Sequence, residues 1–303
     1  MRLSRTLALG ASLLVLFSAC TTGGGSKPTV KVGSVGFDEA RVVAEIYAQA
    51  LEANGYTVDR AGIGLGNRKV LLPALESGQI DLMPEYIGSG LAAGYGGTST
   101  SDPAKNRTDL QAFLNGKGGG ITVLDYTPAV DTNALVVRKE TADQYSLKNW
   151  GDLAAHQNDL KWGLATDCPT SPVCAKALKD TYGIAPTNVT LLDACSTPMA
   201  DALKAKTIDV AELCSTGPEI IVNGWVRLED DKGTQPADDI SPLVRNDLLA
   251  KVGDKAAFEK IFNDISAKID TPTLAKLYYD VAVGKKDIKD VASAWLKANG
   301  FVK

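Results

Sequence analysis

The chain has 303 residues, with 32 Lys and Arg against 36 Asp and Glu, a single His and a formal net charge of −4. A mildly acidic chain without a basic cluster makes a poor nucleic-acid binder, so no nucleic-acid partner is expected. At ~100–200 residues per domain the length suggests about two domains, and beyond the first twenty residues no apolar run approaches the ~18 needed for a membrane-spanning helix.

The chain opens "MRLSRTLALGASLLVLFSAC": Arg2 and Arg5, an apolar run from Leu7 to Phe17, then small residues ending in Cys20. This is the layout of a secretory signal, here residues 1–19. "FSAC" resembles the lipobox of bacterial lipoproteins, whose cysteine is acylated, so Cys20 is the expected lipidation site. The "TTGGGSKPT" that follows is a flexible composition, expected to act as a lipidated tether over residues 20–28. The body is expected outside the cytoplasm, held by lipid to the outer face of the bacterial membrane or in the periplasm.

"TVKVGSVGF" reads as a strand and "DEARVVAEIYAQALEANGY" as a helix, with Val42, Val43, Ile46, Tyr47, Ala50 and Leu51 at helical spacing. Acids Asp38 and Glu39 open that helix and Gly55 closes it. "TVDRAGIG" is a strand, "NRKVLLPALESG" a helix containing Pro73 and "QIDLMPEY" a strand. "DPAKNRTDLQAFLNGKGGG" is a helix and a turn, and "ITVLDYTPAVDTNALVVRK" carries the chain across to a second unit. There the order repeats: strand "LKWGLAT", helix "PVCAKALKDTYG", strand "NVTLLDA", helix "TPMADALKAK", strand "TIDVAELC". Lys31-Val32-Gly33 recurs as Lys161-Trp162-Gly163, and Ile80-Asp81 as Ile208-Asp209. From "SPLVRNDLLAKVG" onward the chain reads as mostly helical.

Two βαβαβ units predict an α/β protein of two similar lobes, each a mostly parallel sheet flanked by helices. The C-terminal helices return to the first lobe, giving lobe 1 as 29–129 with 242–303 and lobe 2 as 130–241. Two hinge crossings are expected, near 128–132 and 239–244. Ligands of such sheets sit beyond the carboxyl ends of the strands. The loops there are "GSVGFDE", "LGNRK" and "EYIGSG" in one lobe and "TDCPTSP", "ACSTP" and "CSTGP" in the other. They should line one cleft, with helix N-termini supplying backbone donors.

After Cys20 four cysteines remain, an even number in an exported chain, which suggests disulfides. With one His, no C-x-x-C and no zinc-like spacing, no metal site is expected. Four cysteines allow three pairings. No nucleophile set is visible, His156 falls away from the expected cleft, and "GIGLGNRK" is neither a Rossmann fingerprint nor a P-loop. Neither enzymatic activity nor a cofactor is expected.

"VGSVGFDEARVVAEIYAQALEANGYTVDR", "ALESGQIDLMPEYIGSGL", "LVVRKETADQYSLKNWGDLA" and "VRLEDDKG" together resemble the osmoprotectant (glycine betaine, choline, carnitine) substrate-binding proteins of ABC importers, over nearly all the chain after its leader. The resemblance implies a two-lobed, periplasmic-binding-protein-like fold, a small solute in the cleft, and an ABC permease with its ATPase as partners; a monomer is expected. Such proteins cage a quaternary ammonium group in aromatic faces. Tyr86 matches a cage tyrosine and Ser89 a neighbouring hydroxyl. Asn133 stands where another tyrosine belongs, further cage positions fall near Met199 or Ala200 and at Cys214, and the arginine that binds a carboxylate has no clear match. Phe37 and Tyr126 offer replacement faces, and Asp38, Asp131 or Asp167 could attract a cation. Thr170, Ser215 and Thr216 complete the expected ligand-binding set from the second-lobe loops. The rival readings are a different neutral polar or aromatic solute on the same scaffold, a sensing module, and, more weakly, an extracytoplasmic enzyme. From their places after the second-lobe strands, Cys168–Cys174 and Cys195–Cys214 are the expected disulfides.

Overall fold

The structure is a computed structural model that describes residues 27–117, 120–166, 168–171 and 173–303. The leader, Cys20, most of the tether and Asp167 lie outside the described residues.

The first unit runs β1 (Thr29–Val35), α1 (Asp38–Ala53), β2 (Thr57–Gly66), α2 (Arg68–Ser77) and β3 (Leu82–Tyr86). The expected apolar stripe of α1 is buried, and Gly55 follows the helix at φ 79°. In α2 the Asn67 side chain caps the N-terminus by accepting from Lys69 N at 3.1 Å, and Gly78 closes the helix in the left-handed region that glycine adopts without strain. A helix Pro103–Gly116 and β4 (Ile121–Val123) lead to the first crossing. The second unit holds β5 (Asn133–Val137), β6 (Trp162–Ala165), β7 (Val189–Leu192), a helix Thr197–Lys204, β8 (Val210–Cys214) and β9 (Val226–Arg227). The chain then returns through β10 (Ile240–Arg245) to helices Lys255–Ser266, Thr271–Ala282 and Ile288–Ala298. These pack on α1; Phe262, for example, meets Tyr47 edge-on at 5.3 Å.

The strand orders are β2-β1-β3-β10-β4 and β7-β6-β8-β5-β9. In each sheet one strand runs against the other four: β10 is antiparallel to β3 and β4, and β5 to β8 and β9. Each intruding strand is the first element after a crossing. β10 corrects the helical reading of its segment: Ile240–Arg245 lies inside the first sheet, with Pro242 opposite Pro84. A proline removes a ladder donor and so argues against an interior strand; here Pro242 still contributes its carbonyl, to Leu124 N at 3.0 Å.

The sequence repeat has a structural cause. In each lobe the Asp carboxylate accepts the backbone N–H of the repeat's lysine, Asp81 from Lys31 and Asp209 from Lys161, both at 3.0 Å. Its own N–H returns to that lysine's carbonyl, in both cases at 2.7 Å. The Gly two residues on makes room for the Ile: a Cβ on Gly33 would meet Ile80 Cδ1 at 2.6 Å, and one on Gly163 would meet Ile208 Cδ1 at 2.5 Å. Arginines at the ends of the intruding strands form a further matched pair. Arg138 donates to the carbonyls of Leu203 and Ile208, and Arg245 to those of Leu75 and Glu76, so each guanidinium satisfies carbonyls at or beyond the end of its lobe's second helix.

The crossings are sewn to each other. Val130 and Asp239 form an antiparallel bridge, Asp131 N donates to Asp238 O at 3.2 Å and Thr127 N to Ile240 O at 2.8 Å. The first lobe holds this ribbon through Ile87 N to Asp239 O at 2.9 Å and Ala129 N to Ile269 O at 3.0 Å. Gly88 permits the approach, since a Cβ there would meet Ala237 O at 2.7 Å.

Both expected disulfides are present, Cys168–Cys174 and Cys195–Cys214, and both lie in the second lobe. They close loops with sequence separations of 6 and 19. Chain-entropy reasoning assigns about 2 kcal/mol to the shorter and about 3 kcal/mol to the longer. Reduction is therefore expected to lower the melting temperature. An unchanged melting curve, with thiol titration showing four free sulfhydryls, would contradict this.

Candidate ligand cleft

A cavity of about 350 Å³ opens where the lobes meet. Gly88, Ser89 and Ala92, just past β3, line one side. Asp131 and Thr132 from the first crossing, Asn133 at the start of β5, Gln235 and Asp238 just before the second crossing, and Cys214 at the end of β8 line the other. The strand ends thus converge as the topology requires.

Behind this cavity lies a chain of polar contacts. The Tyr86 hydroxyl, buried, donates to Glu39 Oε1 at 2.6 Å. Glu39 is 1% exposed, and its Oε2 has no hydrogen-bond partner among the described residues. Thr216, from the second lobe, donates to Asp131 Oδ1 at 2.8 Å. Asp238 receives the Ser89 N–H at 2.8 Å and the Ser89 hydroxyl as well. Phe37, 44% exposed, leans over Tyr86 with ring centroids 5.7 Å apart and planes tilted by 35°. The Arg68 guanidinium, which feels the charge of Asp238, is committed to Glu85 at 2.7 Å.

These carboxyls hold their protons tightly. Desolvation, then the Asp131 charge, pushes Glu39 well above the carboxylate range. Desolvation also raises Asp131 against the Thr216 hydrogen bonds, and the Glu219 charge adds to it. Asp238 is pushed up to about 6 and Asp239 to about 7, in both cases chiefly by desolvation. The Tyr86 phenol is raised by burial and then by Glu39, so it stays a donor.

The expected site residues separate into groups. Ser89, Asp131 and Asn133 line the cavity. Tyr86 and Thr216 are buried directly behind it, and Phe37 covers Tyr86. Asp38 is paired with Arg41 at 2.8 Å and does not line the cavity. Ser215 donates to Val130 O at 2.8 Å and receives Thr132 N at 3.0 Å, so its hydroxyl fastens the crossing. Thr170 is exposed on a 3₁₀ turn after β6, outside the cavity. Tyr126 packs against the first-lobe core. His156 stacks near Tyr145, ring centroids 4.7 Å apart, away from the cleft. Sequence reasoning missed Glu39, Gln235 and Asp238. Glu39 was findable: it falls on the apolar stripe of α1 with Val42, Val43 and Ile46, where an unpaired acid is out of place. Asp238, in "PADDI", gives no such signal.

An acid that keeps its proton to higher pH when folded makes the folded state bind more protons than the unfolded chain, so stability falls as pH rises through that window. For Asp238 and Asp239 the window runs from 3.8 to about 6 and about 7. The ligand-free protein is expected to melt at a lower temperature at about pH 7.5 than at about pH 5, and Asp238→Asn to flatten that slope. Melting curves across the range check this, and a flat or rising wild-type profile would contradict it.

Comparison with known proteins agrees with this geometry. The family described as the substrate binding domain of ABC-type glycine betaine transport systems matches residues 28–298. A glycine betaine-binding protein of Escherichia coli (strain K12) is 27% identical over 311 residues, covering 98% of this chain and 99% of its own. A carnitine transport binding protein of Listeria monocytogenes serotype 1/2a (strain 10403S) is 26% identical over 306 residues, covering 97% and 95%. A solved structure of a glycine betaine/carnitine/choline ABC transporter superposes with a TM-score of 0.80 at 25% identity, covering 90% of this chain and 99% of that one. With its two-lobed fold and a cavity between the lobes, the chain belongs to the family of substrate-binding domains of ABC-type glycine betaine transport systems.

Proposed function

We propose that this protein is a monomeric extracytoplasmic receptor, anchored through acyl chains on Cys20, that closes its lobes on a quaternary ammonium solute and presents it to an ABC permease driven by an ATPase. The observation that carries the choice of solute is the cavity itself: Asp131 and Asp238 face it, Glu39 lies behind it, and none of its described lining residues is basic. A fixed positive charge favours the ionised form of Asp131 and Asp238, and the exposed Phe37 ring over Tyr86 offers an apolar, π-rich face for its methyl groups. The relatives' names point to the same solute class.

Closure follows from where the contacts lie. A solute that touches Ser89 in the first lobe and Asn133 in the second stabilises the closed form over the open one, and the paired crossings bend between them. The lobes that move are residues 29–129 with 242–303 and residues 130–241. No turnover is involved.

A quaternary ammonium solute at ~1,000 times its Kd is expected to add about 4 kcal/mol of stability, read as a rise in melting temperature. Removing one ring face by Phe37→Ala should weaken binding roughly 2- to 30-fold, the equivalent of about 0.5–2 kcal/mol. Cys20→Ser should move the protein from the membrane to the soluble fraction on cell fractionation. If betaine, choline and carnitine all leave the melting curve unmoved, the solute assignment is wrong.

A further inference from the structure

We propose that Cys195 is a thiol-exchange site: a low-molecular-weight thiol attacks its sulfur, opens the Cys195–Cys214 disulfide and stays attached, altering the wall of the cleft. The site is independent of which solute the cleft holds.

The two disulfides differ in access. Cys168 is 2% and Cys174 6% exposed, and Glu212 Oε2 lies 3.5 Å from Cys174 Sγ. Burial shuts out an incoming thiolate, and an acidic neighbour disfavours negative charge on sulfur there. Cys195 is exposed, in the turn between β7 and the helix Thr197–Lys204. Exposed disulfides are the labile ones. Cys195 also has φ 55°, in the left-handed region that few side chains adopt. Two restraints hold it in that turn, the cross-link to Cys214 and its N–H, which donates to Glu212 O at 3.3 Å. Opening the disulfide removes one of them, so backbone strain favours the opened form.

This disulfide is also part of the cleft, and the other is not. Cys214 lines the cavity and pairs with Asn133 in the β5–β8 ladder, and Cys195 Sγ lies 3.9 Å from Asn133 Oδ1. The exchange balances without an outside oxidant. The attacking thiol gives up its proton, and its sulfur forms a new bond to Cys195 Sγ. The Cys195–Cys214 bond breaks, and Cys214 leaves with the electron pair and takes up a proton. One group is thereby added beside Asn133, and one free thiol remains in the cavity lining. A solute held against Asn133 then binds less tightly, and by reciprocity its presence disfavours the exchange by the same factor.

Reduced glutathione is the probe. The folded protein is incubated with it at about pH 8, where a free thiol is partly ionised, quenched with iodoacetamide and mapped by non-reducing mass spectrometry. Glutathione is expected on Cys195 and the alkyl group on Cys214, about tenfold or more faster than any opening of Cys168–Cys174. A first adduct at Cys168, Cys174 or Cys214, or no adduct, would overturn the site. Cys214→Ser cannot reclose, so with oxidised glutathione it should hold a stable adduct on Cys195. Isothermal titration of that adduct with glycine betaine is expected to show about tenfold weaker binding than the same variant without glutathione. Equal affinities would overturn the link to the cleft. If the untreated wild type binds neither betaine, choline nor carnitine, the proposed function fails, while the glutathione map still decides the exchange site. The wild-type map also decides it if Cys214→Ser fails to fold.

Discussion

The antiparallel pairing of the two crossings, Val130 against Asp239, is the contact on which the rest of this architecture depends. It joins the lobes through hydrogen-bonded backbone. It also fixes where the next residues go: Asp131 and Asp238 flank the bridge at the mouth of the cavity, and Asp239 is buried within it. Three carboxyls are thus brought together by a main-chain constraint, with no ion pair to them among the described residues. A desolvated acid without a counter-ion is expensive, which is why these groups hold their protons. Keeping their protons is how these groups avoid a buried charge at the junction.

The lobes contribute unequally to the cleft. The first supplies the rings and the buried acid on α1, and the second supplies a wall stapled by Cys195–Cys214. Tyr86 and Cys214 hold matching places in the repeat, each ending the third strand of its unit. One is an aromatic donor to Glu39 and the other is half of a cross-link. The repeat gives the scaffold its symmetry, and the residues at the strand ends break it.

Much of this was legible in the sequence because the repeat is written in residues with a structural duty. Ile80-Asp81 and Lys31-Val32-Gly33 recur because an Asp must bond a lysine N–H and a Gly must admit an isoleucine. The ligand loops followed from the strand ends, and both disulfides from the loops they join. β10 was hidden because Pro242 disguises an interior strand. The acids were hidden for a different reason. Glu39 could be taken for a favourable charge at a helix start, and Asp238 for a loop residue, until the fold packed both against the same cavity. Local sequence records helical faces and turns, but not which loops meet across a junction.

The connectivity also sets an order of events during secretion. All five strands of the second sheet lie between Asn133 and Arg227, whereas the first sheet waits for β10 and its core for the helices that follow. Chains emerging N-terminus first therefore expose an unfinished first lobe, with β3 lacking its neighbour, while the second lobe already has every strand it needs. Closing non-local contacts last is the slow, aggregation-exposed route. The disulfides lie in the half that completes early. The late half has no cross-link among the described residues.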